Sequence, residues 1–280
     1  MEKTSDGFAA SFAISLRFTG GATFNMSNPT ERFSSRVEHY AKYRPGYPVE
    51  ILELLLKKCG LTPKSIVADI GSGTGKLSEL FLQNGNTVFA VEPNSGMRAA
   101  AEKLLRNNEA FISVDGTAES TTLRDATVDI IAAGQAFHWF DRPKAKIEFN
   151  RILKSSGWVV IIWNERRLEA TPFLRAYEEL LLRYGTDYQD VRHENTASEV
   201  AGFFPPNNVI VKTFENRQEF DLEGVTGRIS STSYTPEPGT AEFLKMAEAL
   251  QQIFAQHAVN GRVVFEYDTR VYLGQLRRDY

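Results

Sequence analysis

A glycine-rich turn is the segment of this 280-residue chain best suited to bind a ligand. It reads Val67-Ala68-Asp69-Ile70-Gly71-Ser72-Gly73-Thr74-Gly75-Lys76 and lies where a predicted strand gives way to a predicted helix. Glycines at such a junction allow a tight turn and let the backbone approach a ligand closely. The spacing matches neither the G-x-G-x-x-G of dinucleotide-binding proteins nor the G-x-x-x-x-G-K-[ST] of Walker loops. The neighbouring residues therefore decide what this turn binds.

Acidic side chains follow the strands next to the glycine turn. Asp69 directly precedes the glycines, and Glu92 follows the second predicted strand, roughly 20 residues after the first glycine, where a carboxylate can accept hydrogen bonds from both hydroxyls of a ribose. Asp115 and Glu119 flank Gly116-Thr117-Ala118 after the third strand, within reach of an adenine ring. Taken singly, each acid could be a helix cap or a solvated surface residue. Together they suit a ligand with an adenosine and a cationic group but no pyrophosphate.

Three further segments carry side chains suited to a second substrate. Residues 134–140 read Gly-Gln-Ala-Phe-His-Trp-Phe after the fourth predicted strand, at the sheet edge where open α/β folds bind ligands. His138 is the one core residue that could act as a base near neutral pH, or it could simply wall the pocket. Arg44 lies in residues 40–48, Tyr-Ala-Lys-Tyr-Arg-Pro-Gly-Tyr-Pro, and can either pair with a carboxylate or lie on the surface. Residues 164–167 can reach the pocket or form a solvated turn.

The elements that position these segments alternate regularly. Short runs that are apolar throughout predict strands covered by helices on both faces, at 65–70, 87–91, 110–114, 128–133 and 158–163. Helical patterns flank or separate them at 48–60, 76–83, 95–106 and 143–153. Later segments predict helices at 171–184, 196–204 and 239–257 and strands at 209–214 and 261–273. This order predicts an α/β fold with a doubly wound, mostly parallel, seven-stranded sheet.

In combination, these motifs resemble the class I S-adenosylmethionine-dependent methyltransferases, in the small-molecule branch that includes the trans-aconitate methyltransferases. The resemblance covers roughly residues 33–276. It departs from the family at Gly116-Thr117-Ala118-Glu119, where relatives have Gly-Asp-Ala-Glu, so adenine recognition is expected to rest on the Ala118 backbone. The resemblance implies S-adenosylmethionine as cofactor, bound by Asp69, Gly71, Ser72, Gly73, Glu92, Met97, Thr117, Ala118 and Gln135.

The same resemblance implies an acceptor site and a reaction. Tyr40, Arg44 and Trp139 would bind the acceptor, residues 230–234 would border its cavity, and His138 is the candidate catalytic residue. The expected reaction is methyl transfer to a small molecule by in-line displacement, with a carboxylic acid as one acceptor class. Two alternatives stay open, a non-catalytic adenosyl-ligand-binding protein and an NAD-dependent dehydrogenase. The misplaced third glycine speaks against the dehydrogenase.

The resemblance and the element pattern together divide the chain into five parts. Residues 1–25 are expected to be a disordered extension, and residues 26–60 a helical cap at the N-terminal end. Residues 61–164 form the predicted cofactor-binding core, 165–206 a helical insertion over the substrate, and 207–280 the strands and helix that complete the sheet.

Composition restricts the partners and the location of the protein. Lys and Arg number 32 against 35 Asp and Glu, which gives a net charge of -3 and no basic stripe for nucleic acid. A single cysteine excludes an internal disulfide framework, and the histidines lack metal-ligand spacing. No run approaches the roughly 20 apolar residues of a membrane span. We expect a cytoplasmic monomer or homodimer with no metal, membrane or nucleic-acid partner.

Overall fold

A single seven-stranded sheet organises the computed structural model, which describes residues 37–188 and 196–276. The strands are β1 (Ile66–Ile70), β2 (Thr87–Val91), β3 (Phe111–Val114), β4 (Val128–Gly134), β5 (Leu153–Arg166), β6 (Val209–Phe220) and β7 (Val263–Gly274). Their order is β3-β2-β1-β4-β5-β7-β6. The first five strands are parallel, and β7 is antiparallel to both β5 and β6. The predicted fold class is confirmed.

Helices pack on both faces of this sheet. They are α1 (Val37–Tyr43), α2 (Glu50–Cys59), α3 (Lys76–Gln83), α4 (Ser95–Leu105), α5 (Arg142–Ile152), α6 (Pro172–Tyr184), α7 (Thr196–Phe203), α8 (Leu222–Ser230) and α9 (Ala241–His257). Apolar side chains of α2 and α3 meet one face of the strands, and those of α5 and α7 meet the other. A third apolar cluster joins α6, α8 and α9 to the beginning of β7. In the described residues, no helix is long and apolar enough to cross a bilayer.

Side-chain caps explain where several of these helices begin. Asn94, Asp141, Thr171, Asp221 and Thr240 each accept a hydrogen bond from a backbone N–H in the first turn of the helix that follows. At the opposite end of α2, Gly60 adopts a φ of 65°, as expected for a glycine that ends a helix.

Strands β5 and β6 are longer than the sequence pattern predicts. The predicted strands stop at 163 and 214, where apolar residues give way to polar ones, but β5 continues to Arg166 and β6 to Phe220. Pairing with β7 supplies the backbone hydrogen bonds that keep both segments extended. Beyond Gly134, where β4 ends, the sheet therefore continues with only three strands. We call this part the strand extension; it consists of residues 163–166, 215–220 and 263–270. The predicted boundary at residue 164 falls inside β5.

Helix α8 was missed by the sequence prediction. It contains Gly224 and Gly227, which weaken the helical pattern. The ring of Tyr43 occupies the space where a side chain at position 227 would lie. A glycine is therefore required there by the packing of α1 against α8, a contact between segments that are distant in the sequence.

Candidate active site

The turn after β1 has a backbone that suits glycine. Gly71, Gly73 and Gly75 have φ values of 68°, 56° and 83°. A Cβ atom at Gly71 would also lie 2.5 Å from the Cβ of Ala136, so a side chain has no room there. The Gly71 amide donates to the carbonyl oxygen of Val91 at 2.9 Å and joins the turn to the end of β2. The turn is thus held in place before any ligand arrives.

Glu92 braces the same turn from the end of β2. Its Oε2 accepts the Gly73 amide and its Oε1 accepts the Asn94 amide, both at 2.9 Å. The residue is 9% exposed, and burial raises the pKa of its carboxyl group against the opposing effect of these hydrogen bonds. Each carboxylate oxygen can accept a second hydrogen bond. Glu92 can therefore hold the turn and still accept hydrogen bonds from ligand hydroxyls.

Asp69 is fully buried at the end of β1. Its Oδ2 accepts a hydrogen bond from the Ser78 hydroxyl at 2.7 Å, whereas its Oδ1 is buried and has no partner among the described residues. The hydroxyl of Thr74 is also buried, likewise with no partner in the described part of the chain. Burial, with a smaller effect of the Glu92 charge, raises the pKa of Asp69 to about 7. Such buried polar atoms are rare in proteins, and these two fit a polar ligand at the turn.

The predicted adenine contacts are partly buried and partly exposed. Met97 is 5% exposed in the first turn of α4, and Ala118 is 5% exposed after β3. Thr117 is exposed, and its hydroxyl accepts the Glu119 amide at 3.3 Å within a local turn. Asp115 pairs with Arg98 at 2.9 Å. An apolar surface for a ring is therefore available at Met97 and Ala118, while Thr117 closes a turn.

Gln135 connects the ends of β4 and β5. Its Oε1 accepts the backbone amide of Asn164 at 2.7 Å, and its Nε2 donates to the Asn164 carbonyl at 3.3 Å. Its φ of 57° is uncommon for a residue with a side chain. These two hydrogen bonds engage the side-chain amide, so Gln135 shapes the edge of the site.

An aromatic wall follows β4. Residues Phe137–Trp139 form a short 3-10 helix that places the His138 ring 4.4 Å from the Trp139 ring and 5.2 Å from the Trp163 ring, measured between centroids. Trp139 is 44% exposed, whereas Phe137 is buried in the core. The structure thus brings His138 and Trp139 together at the carboxyl edge of the sheet, as the sequence predicts.

A peptide segment from the N-terminal part crosses above this edge. We call residues 43–47 the strap. The carbonyl of Tyr43 accepts a hydrogen bond from Arg228 at 3.3 Å. The carbonyl of Gly46 accepts from the side-chain amides of Asn164 at 3.1 Å and Asn216 at 3.0 Å. These contacts attach the strap to α8 and to two strands of the strand extension.

Two side chains of the strap contact different elements beneath it. Tyr47 fills the space above Gly134, the last residue of β4, where a side chain would overlap its ring. Arg44 is half-buried and donates to the Ser231 carbonyl at 3.3 Å. Tyr40 belongs to α1, but its side chain lies outside the residues that the structure describes.

Sequence reasoning missed the residues that fix the strap. Asn216 and Arg228 lie far along the chain from it and belong to no local motif. Asn164 was noted only as part of a segment that either reaches the pocket or forms a solvated turn, and the structure places it buried beneath the strap. Across the described ranges, no group of three or more His, Cys, Asp or Glu side chains could hold a metal ion.

Comparisons with known proteins point to one family. Residues 68–161 match the model of the methyltransferase domain. An uncharacterised methyltransferase of Mycobacterium tuberculosis is 34% identical over 225 residues, covering 80% of this chain and 86% of the relative. One of Schizosaccharomyces pombe is 31% identical over 150 residues, covering 53% and 58%. The solved structure of a proposed type II methyltransferase from Anaeromyxobacter dehalogenans superposes with a TM-score of 0.63 at 21% identity, covers 84% of this chain and 98% of its own, and supports the fold.

The chain belongs to the class I S-adenosylmethionine-dependent methyltransferases. It is an enzyme, and its cofactor is S-adenosylmethionine. The glycine turn with its positive φ values, the carboxyl of Glu92 and the buried Oδ1 of Asp69 fit this cofactor. The predicted class I methyltransferase family and its cofactor are confirmed, and the dehydrogenase and non-catalytic alternatives lose their support. Membership of the branch that includes the trans-aconitate methyltransferases stays a prediction.

Proposed function

We propose that this enzyme methylates a small molecule whose acceptor group is a carboxylic acid, as in the trans-aconitate methyltransferases that its motifs resemble. The observation that carries the proposal is the strap. The strap crosses above the carboxyl edge of the sheet. At one end of the strap Tyr47 contacts the end of β4, and at the other end Tyr43 contacts α8. Such a covered edge favours a small acceptor over a polymer.

The chemistry suits a site that positions its reactants. S-adenosylmethionine supplies a methyl group on a sulfonium. A carboxylate oxygen of the acceptor forms the C–O bond while the C–S bond breaks, and the charges of carboxylate and sulfonium cancel. No proton has to be removed, so the enzyme contributes orientation and exclusion of water. In this proposal Arg44 and Trp139 bind the acceptor, together with Tyr40 from α1.

The cofactor contacts follow from the geometry above. We assign Asp69, Gly71, Ser72 and Gly73 to the methionine part and Glu92 to the ribose. Met97 and Ala118 pack on the adenine, and Thr117 and Gln135 shape the walls. Residues 165–206 act as the substrate cap. The proposal further places the protein in the cytoplasm as a monomer or homodimer that acts without a nucleic-acid partner.

A labelled-methyl assay tests the acceptor class. The purified enzyme is incubated with methyl-labelled S-adenosylmethionine and, separately, with carboxylic acids, phenols and amines, and the products are identified by mass spectrometry. We expect methyl esters to form from acids. Labelled products from phenols or amines alone would contradict the proposal.

His138 distinguishes a carboxylate acceptor from a hydroxyl acceptor. A carboxylate needs no base, so His138→Gln should lower kcat by less than about tenfold and leave its pH profile unchanged. A hydroxyl acceptor would make His138 the base, and the loss would then be about 10²- to 10⁴-fold. His257→Gln, at the C-terminal end of α9, is the matched control. A large loss that is specific to His138 would argue against the carboxylate.

A further inference from the structure

A buried group of arginines and tyrosines lies under α6 and α8, against the strand extension. We call it the arginine–tyrosine cluster. Its members combine two guanidinium groups with one carboxyl group and several aromatic rings: Arg166, Arg228, Glu178, Tyr177, Tyr188, Phe265 and Tyr267. Arg228, Phe265 and Tyr267 lie outside the predicted cofactor and acceptor residues, whereas the other members belong to residues 165–206, the proposed substrate cap.

Arg166 is the member contributed by β5. Its Nη2 donates to Glu178 at 2.5 Å and to the hydroxyl of Tyr188 at 3.0 Å, and its guanidinium lies 5.0 Å from the centre of the Tyr177 ring. Its side chain is 10% exposed. Its Nη1 is buried and has no hydrogen-bond partner in the described part of the chain. This nitrogen therefore keeps a hydrogen-bonding capacity that the described protein groups leave unused.

Arg228 is the member contributed by α8 and is 5% exposed. Its guanidinium lies 4.9 Å from the centre of the Phe265 ring and 5.5 Å from that of Tyr267, and its Nη1 donates to the carbonyl of Tyr43. Its Nε is buried without a hydrogen-bond partner, and it forms no ion pair with the residues that the structure describes. Its positive charge is offset there only by aromatic faces and a carbonyl.

The charges of the cluster do not balance. Burial raises the pKa of Tyr177 to about 12 and holds the pKa values of Tyr188 and Tyr267 above their usual range, so these phenols stay neutral. Among the described residues, Glu178 is the one carboxylate that forms an ion pair within the cluster, and it pairs with Arg166. An uncompensated buried charge is costly, and the Arg44 guanidinium adds a further positive charge near Tyr267, so this excess of positive charge favours binding of an anion. The flat guanidinium matches a carboxylate through paired hydrogen bonds.

The cluster lies at a distance from the cofactor edge. Gly134, where β4 ends, pairs with Ile162, and Arg166 pairs with Tyr267 four residues further along β5. At about 3.3 Å per residue, this separates Arg166 from the end of β4 by roughly 13 Å along the strand. The strap joins the two places, because Tyr43 contacts Arg228 and Tyr47 contacts Gly134. An acid of moderate length could reach from one to the other.

We infer that Arg166 and Arg228 bind a carboxylate of the acceptor that is different from the group that receives the methyl. The acceptor would then be a bifunctional acid, anchored at the arginine–tyrosine cluster and methylated at its other end. This inference rests on the proposed function, because it names the means by which an acidic acceptor is selected.

Calorimetric titration of the enzyme saturated with S-adenosylhomocysteine tests the anchor without turnover. The probes are succinate, adipate and sebacate, together with the monomethyl and dimethyl esters of adipate. We expect binding to strengthen from succinate to a longer diacid, the monomethyl ester to retain most of the affinity of adipate, and the dimethyl ester to lose it. Equal binding of adipate and its dimethyl ester would overturn the inference, as would the absence of binding by every diacid.

Three variants locate the binding of the acid. Arg228→Met should weaken adipate binding by about 10- to 100-fold, the value of a hydrogen bond to a charged group. Arg166→Met is combined with Glu178→Gln, because Glu178 would otherwise stay buried as an unpaired carboxylate. This double variant should weaken adipate binding by a similar factor. Arg270→Met removes a guanidinium that pairs with Glu165 in the same sheet and should change the affinity less than about twofold.

The affinity for S-adenosylhomocysteine distinguishes the loss of the acid anchor from misfolding of a variant. It should stay within about threefold in all variants, which also reports that they fold. Unchanged adipate binding in both cluster variants would overturn the anchor. Tight binding of adipate with methyl transfer only to amines or phenols would instead contradict the proposed function and leave the anchor standing.

Discussion

Asp69 and Glu92 are two buried carboxyl groups near the glycine turn, and they differ in the hydrogen bonds that their oxygens accept. Glu92 accepts a backbone amide at each oxygen, whereas the hydrogen bonds that lower the pKa of Asp69 both come from Ser78 and leave Oδ1 without a partner in the described part of the chain. Hydrogen bonds to the ionised form oppose the effect of burial. At Asp69, complete burial outweighs its hydrogen bonds and raises the pKa to about 7. At neutral pH, Asp69 is therefore the carboxyl group that can respond to a cationic ligand by losing its proton.

Binding of S-adenosylhomocysteine should release a proton from Asp69. The cationic amine of this ligand favours the ionised carboxylate, so affinity should rise as the pH approaches about 7 and level off above that value. Calorimetry in two buffers of different ionisation enthalpy, at a pH just below 7, measures the proton release. Asp69→Asn should abolish the release, whereas Glu79→Gln, at an exposed acid of α3, should not. Proton uptake on binding would contradict the assignment.

The same raised pKa affects the stability of the free enzyme. In the unfolded chain Asp69 ionises near its ordinary pKa of 3.8, whereas the folded protein keeps the proton up to about pH 7. The folded state therefore binds more protons between these values, and the contribution of Asp69 to stability falls as pH rises through this window. Folding thus raises the pKa of Asp69, whereas ligand binding should lower it. This is consistent with a role of Asp69 in binding rather than in stability.

Residues of the site could be predicted where one local motif contains them. Asp69 lies at the end of a strand that the apolar pattern reveals, and the glycines, Glu92 and His138 follow such strands. The edge of a parallel sheet brings them together. Arg228 could not be predicted, since its role depends on the contact of α8 with Tyr43. No spacing in the sequence encodes such a contact.

At the level of elements, the glycine turn joins β1 to α3 through three glycines that have a positive φ. An alanine at position 71 would have a positive φ and its Cβ would overlap the Cβ of Ala136. An alanine at position 73 would have a positive φ too, but its Cβ would lie in open space. We expect Gly71→Ala to weaken S-adenosylhomocysteine binding at least about tenfold more than Gly73→Ala, which should cost about 1 kcal/mol of strain. Calorimetric titration of both variants measures the difference.

Gly202→Ala in α7 is the control for a harmless methyl group. Nothing lies within 4 Å of the added atom there, and alanine favours a helix over glycine. This variant should bind the ligand like the unmodified enzyme. Equal losses from Gly71→Ala and Gly73→Ala would mean that the backbone conformation alone, and not the contact with Ala136, limits the turn.

The elements themselves differ in how well the sequence predicts them. Strands β1 to β4 are short and apolar, and their predicted positions agree with the structure within a residue. The ends of β5 and β6 carry polar side chains: Asn164 and Asn216 donate to the strap, and Arg166 enters the arginine–tyrosine cluster under α6 and α8. Their extended conformation depends on pairing with β7, which a pattern of apolar residues does not record.

At the scale of the whole molecule, one continuous sheet connects the cofactor edge to the strand extension. Because β4, β5 and β7 are neighbours in that sheet, unfolding of the cofactor half should expose the apolar cluster under α6, α8 and α9 as well. We therefore expect the described chain to unfold in a single transition. A ligand that binds only the folded state must then stabilise all of it.

S-adenosylhomocysteine at about 100 times its Kd should stabilise the fold by about 2.7 kcal/mol and raise Tm by roughly 5–10 °C. Differential scanning calorimetry measures both the shift and the number of transitions. NAD at the same concentration should give no shift, because the turn lacks the dinucleotide spacing. Glu92→Ala should abolish the shift produced by S-adenosylhomocysteine, since it removes the carboxyl group that holds the turn and meets the ribose. If calorimetry showed two unfolding transitions and the ligand raised the Tm of only one, the strand extension and its helices would unfold independently of the cofactor edge. In that case, acceptor selection and cofactor binding would reside in separately stable parts of one sheet.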